Sequence, residues 1–228
     1  TKSNKSIVLK KLQQVLHLKE IPIHIECFDN SNFQGSNPTA SCVVFKKGLP
    51  SKKDYRHYNI KTVVGPDDYA SMEEIVLRRY ERLLNEKKSL PQLIVIDGGK
   101  GQLSSAIKSL KELKVYGKIA IIGIAKRLEE IYFPNDNTPI YLDKRSSSLK
   151  IIQQLRNEAH RFAINHHRKK RSINSISSEL EKIDGIGPKT VEKIIQNFGS
   201  FKNLMTSKRS EIEELIGKEK TSKLFSKK

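Results

Sequence analysis

Residues 93–103 read LIVIDGGKGQL. An apolar run drives into Asp97 and then into Gly98, Gly99, Lys100 and Gly101. Two readings compete: a nucleotide loop that cradles phosphates, or a strand that delivers a carboxylate to a tight turn. A Walker loop needs G-x-x-x-x-G-K-[ST]. Counting back from Gly99-Lys100 places Ile94 where the first glycine belongs, and Gly101 stands where the magnesium-binding hydroxyl belongs. No G-x-G-x-x-G follows the strand either. The glycines therefore turn a strand into a helix directly after Asp97, and the weight falls on the carboxylate. In open α/β sheets, ligands lie beyond the carboxyl ends of strands.

Downstream, Leu103, Ala106, Ile107, Leu110 and Leu113 give the helix from Lys100 to Leu113 one apolar side. IAIIGIAK (119–126) is an almost wholly apolar strand, and 129–142 reads as a hairpin around Asn135-Asp136-Asn137. A long helix is expected from Ser147 to Arg171, with Leu149, Ile152, Leu155, Ala159, Phe162 and Ala163 as its stripe. Upstream, Pro91 opens the LIVID strand. Before it lies a helix striped by Met72, Ile75, Val76, Tyr80, Leu83 and Leu84, with Asp67 or Asp68 as N-cap. Three strands come earlier: 21–29, 40–48 and 54–62, the last two joined through Gly48-Leu49-Pro50. A short helix over 6–18, with Ile7, Leu12, Val15 and Leu16, opens the chain. Helical crossovers make the later strands parallel. The fold class is α/β: a mixed sheet flanked by helices, expected over 1–171. SINSISS (172–178) reads as a linker, and 179–228 as a small all-α unit.

Asp29, like Asp97, ends an apolar strand. Carboxylates at neighbouring strand ends can share Mg²⁺ or Mn²⁺, which activates water and stabilises a leaving phosphoryl oxygen. Taken singly, Asp97 also suits a helix N-cap and Asp29 an Asx-turn. His160 falls at the edge of the last helix's apolar stripe, where it suits a core margin or a site facing solvent. His166, His167 and the run Arg168, Lys169, Lys170, Arg171 suit phosphate contact or a solvated face. Lys100 and Arg161 are candidate phosphate contacts.

The balance of 43 Lys+Arg against 25 Asp+Glu gives a net charge of +18. Such a surplus favours a polyanionic partner, since each cation meeting a phosphate releases counterions. Residues 165–228 carry +7 and residues 1–164 carry +11, so the surplus is not confined to one tail. No apolar stretch approaches the ~18 residues of a membrane span, and no signal peptide is visible. Cys27 and Cys42 sit in strand-like runs without metal or disulfide spacing, which suits reduced core thiols and a cytoplasmic protein.

In the tail, IDGIGPKTVEKI (183–194) sets Gly185 and Gly187 around Ile186, with Pro188 opening a helix, followed by Lys189 and Thr190. Glycines that expose backbone N–H groups at a helix N-terminus grip phosphates without reading bases. ELIGKEKTSKLF (214–225) is a weaker copy that keeps only Gly217.

Seven stretches (ECFDNSNFQG, ASCVVF, GPDDYASM, LRRYERLL, IDGGKGQL, EAHRFAINHHRKKR and IDGIGPKT) occur in this order, and together they resemble the carboxy-terminal half of the UvrC family of bacterial nucleotide excision repair. The resemblance implies an RNase H-like endonuclease domain, a tandem helix-hairpin-helix domain over 179–228, and incision on the 5′ side of a lesion in double-stranded damaged DNA. It implies an Asp-Asp-His set with a divalent metal: Asp29, Asp97 and His160, the histidine as third ligand or proton shuttle. Asp68 matches a further functional position, with an N-cap role equally open. A chain opening on Thr1 is expected to be a piece of a longer one. The family's 3′-cutting nuclease and the segment that docks its partner UvrB are expected to lie outside it. The alternative is a DNA-binding module that is catalytically silent by itself.

Overall fold

In the computed structural model, described residues are 2–31, 39–63, 65, 67–125 and 129–226; side chains of 2, 3, 31 and 167–172 fall outside the description. The chain divides into two compact units, residues 1–164 and 165–228.

The first unit is built on a seven-stranded sheet. Helix α1 (Lys2–Val15) precedes strands β1 (His24–Ser31), β2 (Thr39–Lys46), β3 (Leu49–Pro50) and β4 (Arg56–Asn59). Helix α2 (Asp68–Asn85), strand β5 (Leu93–Asp97), helix α3 (Lys100–Glu112), strands β6 (Ala120–Ala125) and β7 (Glu130–Tyr132), and helix α4 (Ser147–Leu180) follow. The order is β3-β2-β1-β5-β6-β7, with β4 also pairing β2. β1, β5 and β6 are mutually parallel, as the helical crossovers require, while β2 and β7 run antiparallel to their neighbours. The turn at 135–137 closes a hairpin, for Ile131 and Ile140 exchange backbone hydrogen bonds.

Strand β1 starts at His24 rather than Ile21, because Pro22 has no N–H to give a ladder. Its two faces divide as the alternation predicts. Glu26 faces Arg79 and Tyr80 of α2, and Asp29 faces α4. Every residue of β5 is buried. Two expected stripes hold in part: of the first, Leu12 and Leu16 are buried, with Leu9 beside them, while Ile7 and Val15 are exposed, and of the α2 stripe only Leu84 is exposed, beside buried Leu83.

Residues 172–178 are helical, the last turns of α4. Their serines read as turn chemistry, yet the stretch has neither Gly nor Pro, and Ile176 and Leu180 stand one helical turn apart in the second core. That core also takes Ile183, Ile186, Val191, Ile194, Leu204, Ile212 and Leu224, from α4 and from α5 (Pro188–Phe198), α6 (Phe201–Thr206), α7 (Arg209–Ile216) and α8 (Lys218–Ser226) and the turns between.

Candidate active site and nucleic-acid surface

The register of β1 on β5 pairs Cys27 with Val95 and Phe28 with Ile96. One step further, just past the last β1–β5 pair, Asp29 and Asp97 stand side by side on the same face. Asp97 is at the end of β5 and Asp29 two residues before the end of β1, which runs on to Ser31 rather than stopping at Asp29. Both are buried, 1% and 4% exposed. The Cys27 thiol lies on that face too. Burial pushes its pKa well up, and the charges of Asp97 and Asp29 push it further, so both carboxylates bear on one point beneath them.

Helix α4 crosses this face. Its apolar stripe of Leu149, Ile152, Leu155, Ala159 and Ala163 is buried. The Ala159 carbonyl accepts a hydrogen bond from Ser41 Oγ at 3.0 Å, and Ser41 is the β2 partner of Asp29. His160, the next residue, therefore brings Nδ1 to 3.3 Å from Asp29 Oδ2 while half of its side chain remains exposed. One turn earlier, Arg156 approaches Glu129 at 3.6 Å, and its Nη1 is buried with no hydrogen-bond partner among the described residues. Arg156 also acts on the Cys27 thiol, opposing the carboxylates.

The glycines after Asp97 are packing positions. A Cβ at Gly98 would fall 1.9 Å from Gln102 Oε1, and one at Gly101 would fall 2.4 Å from the Tyr69 ring. Gly99, the N-cap of α3, faces open space. Gly101 thus seats the first turn of α3 against that of α2.

Of the residues marked in the sequence, Asp29 meets His160 directly, and Asp97 adjoins Asp29 through the β1–β5 register. Asp68 starts α2, and its carbonyl accepts from Asn30 Nδ2 at 2.8 Å, tying the residue after Asp29 to that helix. The N-cap is Asp67, whose Oδ1 accepts from the Tyr69 and Ala70 amides at 3.0 and 2.9 Å, so the N-cap alternative for Asp68 falls away. Arg161 is held by Glu158 through two bonds of 2.7 Å and does not reach Asp29's site by any contact described. Lys100 is exposed at the start of α3, its Nζ 5.4 Å from the Tyr132 ring centroid. The side chains of Arg168, Lys169, Lys170 and Arg171 lie outside the described residues.

In the second unit, Gly185 at φ +85° and Gly217 at φ +87° make the two hairpin turns in a conformation that side chains resist. Ile186 packs inward, and Gly187 caps α5 with Pro188 at its first position. Lys189 is exposed, whereas Thr190 is buried and its Oγ1 accepts from Lys220 Nζ at 3.1 Å. Lys223 Nζ would stand 3.1 Å from a Cβ at Gly185. Lys220 and Lys223 were not marked in the sequence, and neither was Arg156. The signal for Arg156 was there, since i and i+4 place it on His160's side of α4.

Among the described residues, no three or more His, Cys, Asp or Glu side chains gather closely enough to cage a metal ion unaided. A pair of buried carboxylates nonetheless suits Mg²⁺ or Mn²⁺, hard ions that keep several waters and are held by one or two carboxylates plus substrate phosphate.

Residues 13–164 match the family model described as the UvrC RNAse H endonuclease domain, and residues 177–224 match the SAM-like helix-hairpin-helix tandem. The UvrABC system protein C of Flavobacterium johnsoniae is 61% identical over 217 residues, which is 95% of this chain and 36% of that protein. That of Cytophaga hutchinsonii is 57% identical over 219 residues, 96% of this chain and 37% of that protein. The chain therefore spans a little over a third of the length of these relatives. Ciona intestinalis endonuclease V, solved with an inosine-containing DNA, covers 69% of each chain at TM-score 0.35 and 18% identity, too distant to argue from. The first unit is an RNase H-like endonuclease domain and the second a tandem helix-hairpin-helix, and the chain belongs to the UvrC family.

Proposed function

We propose that this chain is a divalent-metal-dependent DNA endonuclease that makes the 5′ incision of bacterial nucleotide excision repair, its helical unit gripping the duplex backbone. The observation that carries the reading is the buried pair Asp29–Asp97 on adjoining strands, with His160 against Asp29. Asp29 and Asp97 would hold the ion, Mg²⁺ or Mn²⁺. A bound divalent ion polarises the phosphodiester and lowers the pKa of the attacking water.

The chain's own groups do the rest. His160 fixes the Asp29 carboxylate through Nδ1, and its exposed side is placed to pass a proton to or from solvent. Arg156, whose charge opposes those of Asp97 and Asp29 at the Cys27 thiol, adds positive charge near the pair. Lys100 and the N-terminus of α3 offer a phosphate positive charge immediately after Asp97. Gly185, Gly187 and Lys189 form the principal backbone grip over Ile186 and Thr190, which pack beneath it, with Lys220 and Lys223 beside it and Gly217 making the second turn. In the full-length protein the partner is UvrB, and the setting is the cytoplasm.

The competing reading is a DNA-binding module without catalysis. An Asp29→Asn variant separates the two. DNA affinity should stay within about two-fold of wild type, because no phosphate-gripping group is touched, while metal-dependent cleavage falls at least about 100-fold. Equal cleavage by variant and wild type refutes the endonuclease reading at this site.

A further inference from the structure

Glu130 of β7 accepts hydrogen bonds from two phenols, Tyr132 Oη at 2.7 Å and Tyr141 Oη at 2.8 Å. These bonds, with Lys100 adding its charge, hold the Glu130 carboxyl below its usual pKa. One carboxylate thus fixes two aromatic rings at the sheet's edge strand, although Tyr141 is 60% exposed. Lys100 lies over the Tyr132 ring and stands three residues after Asp97, so this aromatic pair borders the candidate active site.

A groove of about 470 Å³ continues from Lys100 between α3 and the 133–137 turn. Leu103, Ile107, Phe133 and Pro134 form its floor, and Lys108 and Lys111 its rim. Lys108 and Lys111 stand about 12 and about 16 Å along the helix from Lys100. Asp136, at the turn, directs its carboxylate to the Thr138 amide at 2.8 Å. A solvated charged face needs neither an apolar floor nor two phenols tied to one carboxylate. A duplex, whose base faces are already stacked, would meet only the lysines. A cationic groove with aromatic rings at one end, here exposed Tyr141 and half-buried Tyr132 beside Lys100, is an arrangement that binds unpaired nucleotides.

We infer that the α3–β7 groove takes a single-stranded stretch of DNA continuous with the strand being cut. Its phosphates lie on Lys100, Lys108 and Lys111; its bases meet Tyr132 and Tyr141 at the Lys100 end, outside the groove, and Phe133 and Pro134 within it. This rests on the endonuclease reading above and adds the state of the substrate: the strand leaves the site unpaired on this side.

The test is fluorescence anisotropy in EDTA with an oligothymidine of about 12 nucleotides and with a duplex of the same length. Lys108→Ala/Lys111→Ala removes two exposed cations, with the 3.5 Å pair of Lys108 to Glu73 and the contact of Lys111 with the Tyr116 ring, and circular dichroism checks its fold. It should weaken single-strand binding about ten-fold or more while duplex affinity changes less than about two-fold. Tyr141→Ala should cost about ten-fold on the single strand, and Tyr141→Phe should retain wild-type affinity within about two-fold. Unchanged single-strand binding, or loss on duplex as large as on single strand, overturns the inference. The readout is free of metal, so it is independent of cleavage. An absent groove effect with cleavage abolished by Asp97→Asn refutes the groove alone, and the converse refutes the endonuclease reading alone.

Discussion

Gly123 has no side chain, yet it governs where Asp97 sits. A Cβ on Gly123 would stand 2.9 Å from the Gly98 carbonyl oxygen and 3.3 Å from Leu103 Cβ. The first obstacle is backbone, which cannot swing aside as a side chain can. Gly123→Ala should therefore destabilise the first unit by about 1–3 kcal/mol in urea unfolding and shift the turn after Asp97 enough to depress cleavage. Gly99→Ser is the opposite case: space is open, φ is −79°, and α3 has no side-chain cap. A serine hydroxyl there should add a few tenths of a kcal/mol, about 0.3. At this scale the sequence disclosed Asp29 and Asp97 because each interrupts the apolar run of a strand. It could not disclose the duties of Gly98, Gly101 and Gly123, whose partners Gln102, Tyr69 and the Gly98 carbonyl are set by packing. Nor could it separate Asp67 from Asp68 as a cap, since adjacent carboxylates differ only in the backbone geometry each adopts.

Between elements, the join of β1 to α2 is ionic. Glu26, fully buried, receives Arg79 Nη2 at 2.7 Å, Arg79 Nε at 3.1 Å and Tyr80 Oη at 2.9 Å, with His24 at 3.1 Å. Burial alone would raise the Glu26 pKa, but the hydrogen bonds and charges of His24 and Arg79 outweigh it and hold the pKa at about 2. A folded pKa below the unfolded value of about 4.3 stabilises the protein above pH ~4.3, a contribution lost as pH falls toward about 2. Glu26→Gln leaves Arg79 buried without its counter-charge and should cost about 3–5 kcal/mol. It should also flatten the acid limb of the stability curve between those pH values, measured by urea unfolding at a series of pH. Residues 26 and 29 of one strand fall on opposite faces by simple alternation. The partner of Glu26 was hidden, because Arg79 stands 53 residues away and reads by itself as a surface cation. The end of α4 was misread for a related reason: Ser-rich composition mimics a linker until Ile176 and Leu180 find a core.

Over the whole molecule the excess of positive charge is spread through both units. Duplex affinity should fall with salt, each phosphate contact adding about 0.9 to the slope of log K against log salt. Lys220→Ala/Lys223→Ala should lower that slope by up to about 2 and leave the carboxylate site intact, and duplex binding at several salt concentrations checks it. The claim on which the account turns is that Asp29 and Asp97 form a metal-dependent hydrolytic site. It is tested most directly by cleavage of a lesion-bearing duplex nicked on the 3′ side, with Mn²⁺ and then Mg²⁺ and with UvrB present. Wild type and Asp97→Asn are compared both as this chain and within the full-length protein. Wild type should make the 5′ incision in at least the full-length protein and Asp97→Asn in neither form; incision by Asp97→Asn at the wild-type rate would contradict the assignment of this site.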